Sequence, residues 1–548
     1  MSPTETNPPH LAHLAERFDL ADADIRDQAE KAAGAVRRLA DLWERNGTAD
    51  EAVLRSLRAI AKRHAIRMPD KRGLAERINR MCDAGFWRRA LRYRFKAVEL
   101  TAIQRGAVHA HASPYVSDKA LRRHQRHAER MDEQMAALEA INQTTGEAVP
   151  MPDLVASSLA NPAHRRSGLM ARIKGIETSA TARGHVGLFL TLTCPSRMHP
   201  RLRKSGAANP TYDGRWFPTR AHRHLCSVWG RSQRAAAHQG LHAYGLRVVE
   251  PHHDACPHWH LLAFIAEDQA EAFIALVRGY ALRDSPNEPG AQKRRFTVER
   301  IDPAKGSAVA YVAKYVSKSI DGHGVDDDSE TEQDGRGAAR RQIAWARVWN
   351  IRQFQFFGVP PITPTREFFR VAGDTLPGEA LPALHAVCKA NDYAGWLATT
   401  EAHGLRLAVE YKERPSTRYR GETTKAVQGV RVEGGDLGGT LQITTRCDTW
   451  RIEPRPKTVA ASSVGVSASE GPCPSWTRIN NSAPLDFKGL FPDSLPEEIE
   501  VWGDVGGAEE ASRTGHRYPV QDKAFGDQPA RSVARPAADA RTSAKRSV

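Results

Sequence analysis

Three short apolar runs in the middle of the chain, GHVGLFLTLT (184–193), AYGLRVVE (243–250) and HWHLLAFI (258–265), restrict the fold more than any other feature of the sequence. Each is strand-length, apolar or β-branched and bounded by turn residues, so together they predict strands of one sheet. Helical patterns lie between and after them, at TRAHRHLCSVWGRSQRAAAHQG (219–240), EDQAEAFIALVRGYAL (267–282) and SAVAYVAKYVSKSI (307–320). Strands that pair directly while helices cover the faces define an α+β class with a central, mostly antiparallel sheet and flanking helices.

The flanks differ from this centre. Residues 51–160 are rich in Ala, Leu, Arg, Glu and Gln and poor in Gly, which predicts several helices with breaks near Pro69 and Pro114. Residues 1–50 are taken as an N-terminal extension, 161–370 as the domain that holds the sheet, and 371–430 as an accessory region. From 431 to 548, glycine pairs and stretches such as ASSVGVSASEGPCPS predict a largely disordered tail. The acidic, Gly-rich DGHGVDDDSETEQDGRGAARR (321–341) predicts a mobile loop. The basic run GFWRRALRYRFK (85–96) permits two readings: a helix with a solvated charged face, or one that sets Arg88, Arg89, Arg92 and Arg94 on phosphates.

Lys and Arg outnumber Asp and Glu by 79 to 64, a formal charge of +15 that favours a polyanionic partner, nucleic acid or an anionic membrane surface. No membrane-length apolar stretch occurs and the N-terminus lacks a signal-peptide pattern, so a soluble cytoplasmic protein is expected. The seven cysteines form no CxxC pair, which suits free thiols in a reducing compartment. No G-x-x-x-x-G-K-[ST] motif is present, so any strand-separating motor is expected to be a separate protein.

The densest chemistry lies in VVEPHHDACPHWHLLAF (248–264). Alternate side chains of a strand share a face, so His258 and His260 point the same way with Trp259 between them on the other. If the two strands pair as a hairpin, the connection PHHDACP returns Glu250 to the neighbourhood of His258. Two nitrogens and a carboxylate oxygen then converge, a set suited to a divalent cation with positions left open for substrate oxygens. Two alternatives remain at this point: ordinary histidines, or zinc held by Cys256, His258, His260 and His253. Upstream, Thr191 and Thr193 share one face of their strand.

In GSAVAYVAKYVSKSI (306–320), Val309, Val312, Ala313, Val316 and Ile320 gather on one helical face, which predicts packing on the sheet. Tyr311, Tyr315, Lys314 and Lys318 gather opposite. Phenols at i and i+4 lie one turn apart and can approach one point, and the lysines are expected to favour phenolate and to hold phosphate oxygens. Two surface tyrosines on an amphipathic helix remain the plainer reading of this helix alone.

Taken together, MCDAGFWRRALR, NPAHRRSGLMARIKGIE, GHVGLFLTLTCPSRMH, RVVEPHHDACPHWHLLAF and AYVAKYVSKSI, followed by WNIRQFQFFG, resemble the HUH endonuclease superfamily, and within it the bacteriophage replication gene A protein family. The resemblance spans roughly residues 75–430. It implies a rolling-circle initiator that nicks origin DNA by tyrosine transesterification, leaving a 5′-phosphotyrosine link and a free 3′-hydroxyl. By the same resemblance His258 and His260 are metal ligands and Glu250 the third, Tyr311 and Tyr315 are the nucleophiles, and Lys314 and Lys318 contact phosphate. The implied cofactor is Mg²⁺ or Mn²⁺, and the implied partners are single-stranded or supercoiled origin DNA with a host helicase and DNA polymerase. Ala255-Cys256 stands where a Gly-Thr-like turn is expected in relatives. The competing functions are a plasmid relaxase, a single-strand transposase, or a non-enzymatic zinc-containing DNA-binding protein.

Overall fold

The structure is a computed structural model that describes residues 18–456, apart from 70–72, 305, 323–333, 373–375, 420 and 436. Eleven strands are present among the described residues: β1 (Leu138–Asn142), β2 (Ala148–Pro150), β3 (His185–Leu192), β4 (Tyr244–Pro251), β5 (Pro257–Ala266), β6 (Phe296–Arg300), β7 (Phe354–Phe357), β8 (Arg406–Pro415), β9 (Thr423–Glu433), β10 (Thr440–Thr444) and β11 (Trp450–Pro454). The central sheet has the order β6-β3-β5-β4-β7, and every neighbouring pair in it is antiparallel. All three apolar runs are therefore strands of one sheet, as the sequence predicts.

The period-two pattern of these strands sorts side chains onto two cores. Leu188, Leu190 and Leu192 of β3, Val249 of β4 and Trp259, Leu261, Ala263 and Ile265 of β5 join one cluster with Leu225, Phe273, Trp345 and Trp349 from helices. Leu246 and Val248 of β4 and Leu262 and Phe264 of β5 join the other, which includes Val312, Val316 and Ile320 from the tyrosine segment. Burying an apolar side chain of this size contributes about 2 kcal/mol, so both faces of the sheet are strongly committed.

The β4–β5 connection turns tightly. His252 N–H donates to Cys256 O at 2.7 Å and Ala255 N–H to His252 O at 2.8 Å. Ala255 takes φ 69°, the left-handed region that glycine favours. The turn thus keeps the geometry a glycine would supply, at the cost of local strain.

Several boundaries differ from the sequence reading. Helix Asp22–Arg45 lies within the stretch taken as an extension, and its Ile25, Ala29, Ala33 and Val36 share a core with Leu57, Met81, Trp87 and Leu91. In the accessory region 371–430, Leu381, Leu384, Trp396 and Val430 pack in the cluster that contains the tyrosine helix. The chain beyond 430 continues as β10, paired with β9, and β11, paired with β1. Trp450 and Ile452 bury against Leu138 and Ala140, which holds the last strand despite its polar surroundings in sequence. The tail expected over 431–548 otherwise falls at 457–548, outside the described residues, as does 323–333 of the acidic segment. Its end is helical, because Asp334 accepts from Arg336 N–H and Gly337 N–H and so starts helix Gly335–Trp349.

The four arginines of the 85–96 run do not share one exposed face. Arg88 and Arg94 are buried, and Arg94 donates to His64 O at 2.6 Å while covering the Phe18 ring. Burial also lowers the Arg92 pKa, which leaves Arg89 as the exposed arginine of the four. Arg94 thus ties this run to the C-terminal end of helix Asp50–Arg63. Among the described residues no helix is long and apolar enough to cross a membrane.

Candidate active site

The site is built on adjacent positions of three strands. In the β4–β5 register Glu250 lies opposite His258, and in the β3–β5 register Thr191 lies opposite His260. Because 250, 258 and 260 all project to the face of the tyrosine helix, their ligand atoms lie within 4.8 Å of one another. All three side chains are buried. His258 Nε2 and His260 Nε2 approach to 2.9 Å, so both rings aim a nitrogen at the same spot.

The surroundings of the two rings differ. Thr191 Oγ1 lies 3.1 Å from His260 Nδ1. With the Nδ1 proton given to that hydroxyl, Nε2 keeps its lone pair for a metal. The His258 ring stacks on His252 at 4.0 Å between centroids, and its Nδ1 has no hydrogen-bond partner among the described residues. Burial, reinforced by His252, His260 and Lys318, holds the His258 pKa well below its ordinary value. It is a neutral imidazole at neutral pH, the form that binds metals. Two imidazoles and one carboxylate are a fitting donor set for a divalent cation that keeps open positions. The zinc alternative does not assemble, since Cys256 packs in the core on the opposite face of the sheet with Trp259.

The tyrosine helix, Ala308–Lys318, lays Val312 and Val316 on the sheet as its periodicity predicts. Tyr315 reaches the Glu250–His258–His260 cluster directly: its ring centroid lies 4.1 Å from that of His260. Tyr311 lies one turn further out. Phe189, on the same face of β3 as Thr191, touches His260, Tyr315 and Tyr311 at centroid distances of 5.5, 5.3 and 6.2 Å. The sequence reading passed over Phe189, although its period-two relation to Thr191 would have placed it here.

The two lysines part company. Lys314 is exposed, on the outer side of the helix. Lys318 is only 5% exposed and pairs with Glu250 at 3.8 Å, behind the carboxylate, so in this structure it does not offer a surface phosphate contact. Ser319 Oγ is also 3.3 Å from Glu250 Oε1 and 3.2 Å from the Gln342 amide, both buried. Lys318 does pull the Tyr315 phenol toward phenolate, but burial, then Glu250, outweighs it and pushes the phenol up. Desolvation and the carboxylate of Glu299 on β6 push the Tyr311 phenol up as well.

Fold and site together define a class: an antiparallel-sheet protein with an imidazole–carboxylate cluster on its central strands, faced by a helix that carries two phenols one turn apart. More particularly, the chain belongs to the bacteriophage replication gene A protein family, whose model matches residues 12–323. It is 33% identical over 423 residues to the replication gene A protein of Escherichia phage 186, covering 74% of this chain and 60% of that one. The replication gene A protein of Escherichia phage P2 is 31% identical over 414 residues, 72% of this chain and 54% of its own. A probable replication endonuclease from a prophage-like region of Salmonella paratyphi A is 33% identical over 447 residues, 76% and 54% respectively. The chain thus spans between half and 60% of the length of these relatives. No solved structure matches it.

Proposed function

We propose that this protein is a rolling-circle replication initiator: a site- and strand-specific DNA endonuclease and strand transferase that acts through a tyrosine. The observation that carries the reading is the contact of Tyr315 with His260 inside the cluster of Glu250, His258 and His260. Family membership and the replication-endonuclease name of a relative support DNA as the substrate.

Glu250, His258 and His260 would hold Mg²⁺ or Mn²⁺, which supplies Lewis-acid stabilisation of charge on the non-bridging oxygens of the scissile phosphate. The chain's own residues do the rest. A tyrosine oxygen attacks phosphorus and its proton leaves to solvent. The P–O3′ bond breaks, and the departing 3′-oxygen takes up a proton to become a free hydroxyl. The 5′-phosphate stays on the tyrosine as a diester, so the bond energy is kept for rejoining and no ATP is consumed. The second phenol, one turn away, allows a second cut while the first link persists. The free 3′-hydroxyl suits extension by a host polymerase on a strand opened by a host helicase.

The test is cleavage of a labelled single-stranded origin oligonucleotide with Mg²⁺ or Mn²⁺. Replacing His258 and His260 together by Ala is expected to abolish cleavage while leaving most of the DNA binding, which a charge of +15 supplies independently of the site. Cleavage at the wild-type rate by that double variant would refute the assignment.

A further inference from the structure

The segment NPAHRRSGLMARIKGIE has a structural position but no role in the chemistry above. It forms most of the helix Pro162–Ala182, whose Ile173 and Ile176 pack in the same core as Val312 and Val316. Two of its charged residues grip the tyrosine helix at opposite ends. Glu177 Oε1 accepts a hydrogen bond from Ala308 N–H at 2.5 Å, at the first residue of that helix. Arg166 forms an ion pair with Asp321, just beyond the last turn. Glu177 and Arg166 are about three turns apart, ~16 Å along their own helix.

We infer that Glu177 and Arg166 are positioning residues that set the roll and axial placement of the tyrosine helix, and through it the approach of both phenols to the His258–His260 cluster.

The physical case rests on what holds that helix otherwise. Its first four N–H groups have no partner within the helix. Ser307 Oγ takes the one from Ala310 at 3.3 Å, and Glu177 takes the one from Ala308. A carboxylate at this end is also favoured by the helix dipole, so the contact is directional and charge-assisted. The apolar face supplied by Val312 and Val316 resists separation from the sheet, but apolar contacts are non-directional and resist roll weakly. Side-chain tips stand roughly 6 Å from a helix axis, so a roll of about 10° moves a tip by about 1 Å. A misplacement of that size costs up to about a hundred-fold in rate where the reacting atoms must align. Close contact between the supporting helix and its own neighbours keeps the mount rigid: a Cβ on Gly175 would stand 2.7 Å from Tyr393 Cβ, so the approach there is as near as backbone allows.

The inference rests on the proposed tyrosine chemistry, so the experiment has one readout that needs no catalysis. In the full-length chain, amide hydrogen exchange of residues 308–322 is compared among wild type, Glu177→Ala, Glu177→Gln and Arg166→Gln, with helix Gly335–Trp349 as the control for global unfolding. Faster exchange is expected in 308–314 for Glu177→Ala and in 315–322 for Arg166→Gln. Glu177→Gln, which keeps an acceptor oxygen, is expected to stay near wild type. The second readout is formation of a protein–oligonucleotide adduct with Mn²⁺. Glu177→Ala is expected to lower kcat by about ten-fold or more with KM little changed, and to alter the share of adduct on Tyr311 against Tyr315. Unaltered exchange in both disrupting variants overturns the inference, and so does altered exchange with wild-type kcat and adduct share. If wild type itself forms no adduct, the tyrosine chemistry fails while the exchange measurement still decides whether the two residues hold the helix.

Discussion

Replacing Lys318 by Met isolates the buried charge pair at the centre of the site. The Lys318 and Glu250 side chains are 7% and 2% exposed and stand 3.8 Å apart, so removing the ammonium leaves a carboxylate out of reach of water. Breaking such a pair costs about 3 to 5 kcal/mol, and the hydroxyl of Ser319, still beside Glu250, argues for the lower figure. A loss of about 3 kcal/mol in a domain of this size lowers the melting temperature by roughly 6 °C. The assay is thermal unfolding in a chelating buffer, which removes any bound cation that would itself neutralise Glu250. Changing Glu250 to Gln in the same chain removes the second charge and is expected to restore most of the loss, since a paired deletion leaves no orphan. If Lys318→Met melts with the wild type, or if Glu250→Gln brings no recovery, the two groups are not an energetically coupled buried pair and the account of the site's electrostatics is wrong.

Thr191→Val removes the hydroxyl that faces His260 Nδ1 and is expected to weaken Mn²⁺ binding by about ten-fold in calorimetric titration; unchanged affinity would show that Thr191 does not orient the ring. Gly175→Ala places a methyl 2.7 Å from Tyr393 Cβ and 2.8 Å from Ala394 N and is expected to cost about 1–3 kcal/mol in thermal unfolding, a loss that would be missing if the two helices can part freely. Stability should also depend on pH through His199 and Asp254, 3.0 Å apart. Burial pushes the Asp254 carboxyl up, but His199 and the neighbouring imidazoles carry it well below the carboxylate range, so its contribution is present above about pH 4 and fades as pH falls. Burial pushes His199 down and Asp254 carries it above its ordinary value, so that contribution is complete below about pH 6.5 and is lost as pH rises through the raised value. Asp254→Asn is expected to flatten the profile on both flanks, and an unchanged profile would contradict the pairing.

The parts of the site that follow from local periodicity were legible in the sequence. Two-residue alternation places His258 and His260 on one face, and the short β4–β5 connection brings Glu250 opposite His258. Helical periodicity puts Val312 and Val316 against the sheet. What depends on distant partners was not legible. The helical wheel groups Lys318 with the tyrosines, but it does not show that this end of the helix turns inward over Glu250. The arginines of the 85–96 run look like a basic surface until the helices around them are assembled, with Arg94 capping a carbonyl from His64. β11 pairs with a strand some three hundred residues earlier, and nothing in its own composition names that partner. Local pattern sets faces and turns, whereas pairing across long loops is decided by the whole core.

The most direct test of the tyrosine account is to trap the protein on a labelled origin oligonucleotide, digest the adduct and map the modified peptide by mass spectrometry. The account predicts that the nucleotide is attached within the tyrosine helix, at Tyr311 or Tyr315, and that changing both to Phe removes the adduct altogether. An adduct at any other residue, or one that persists in the double variant, would contradict it.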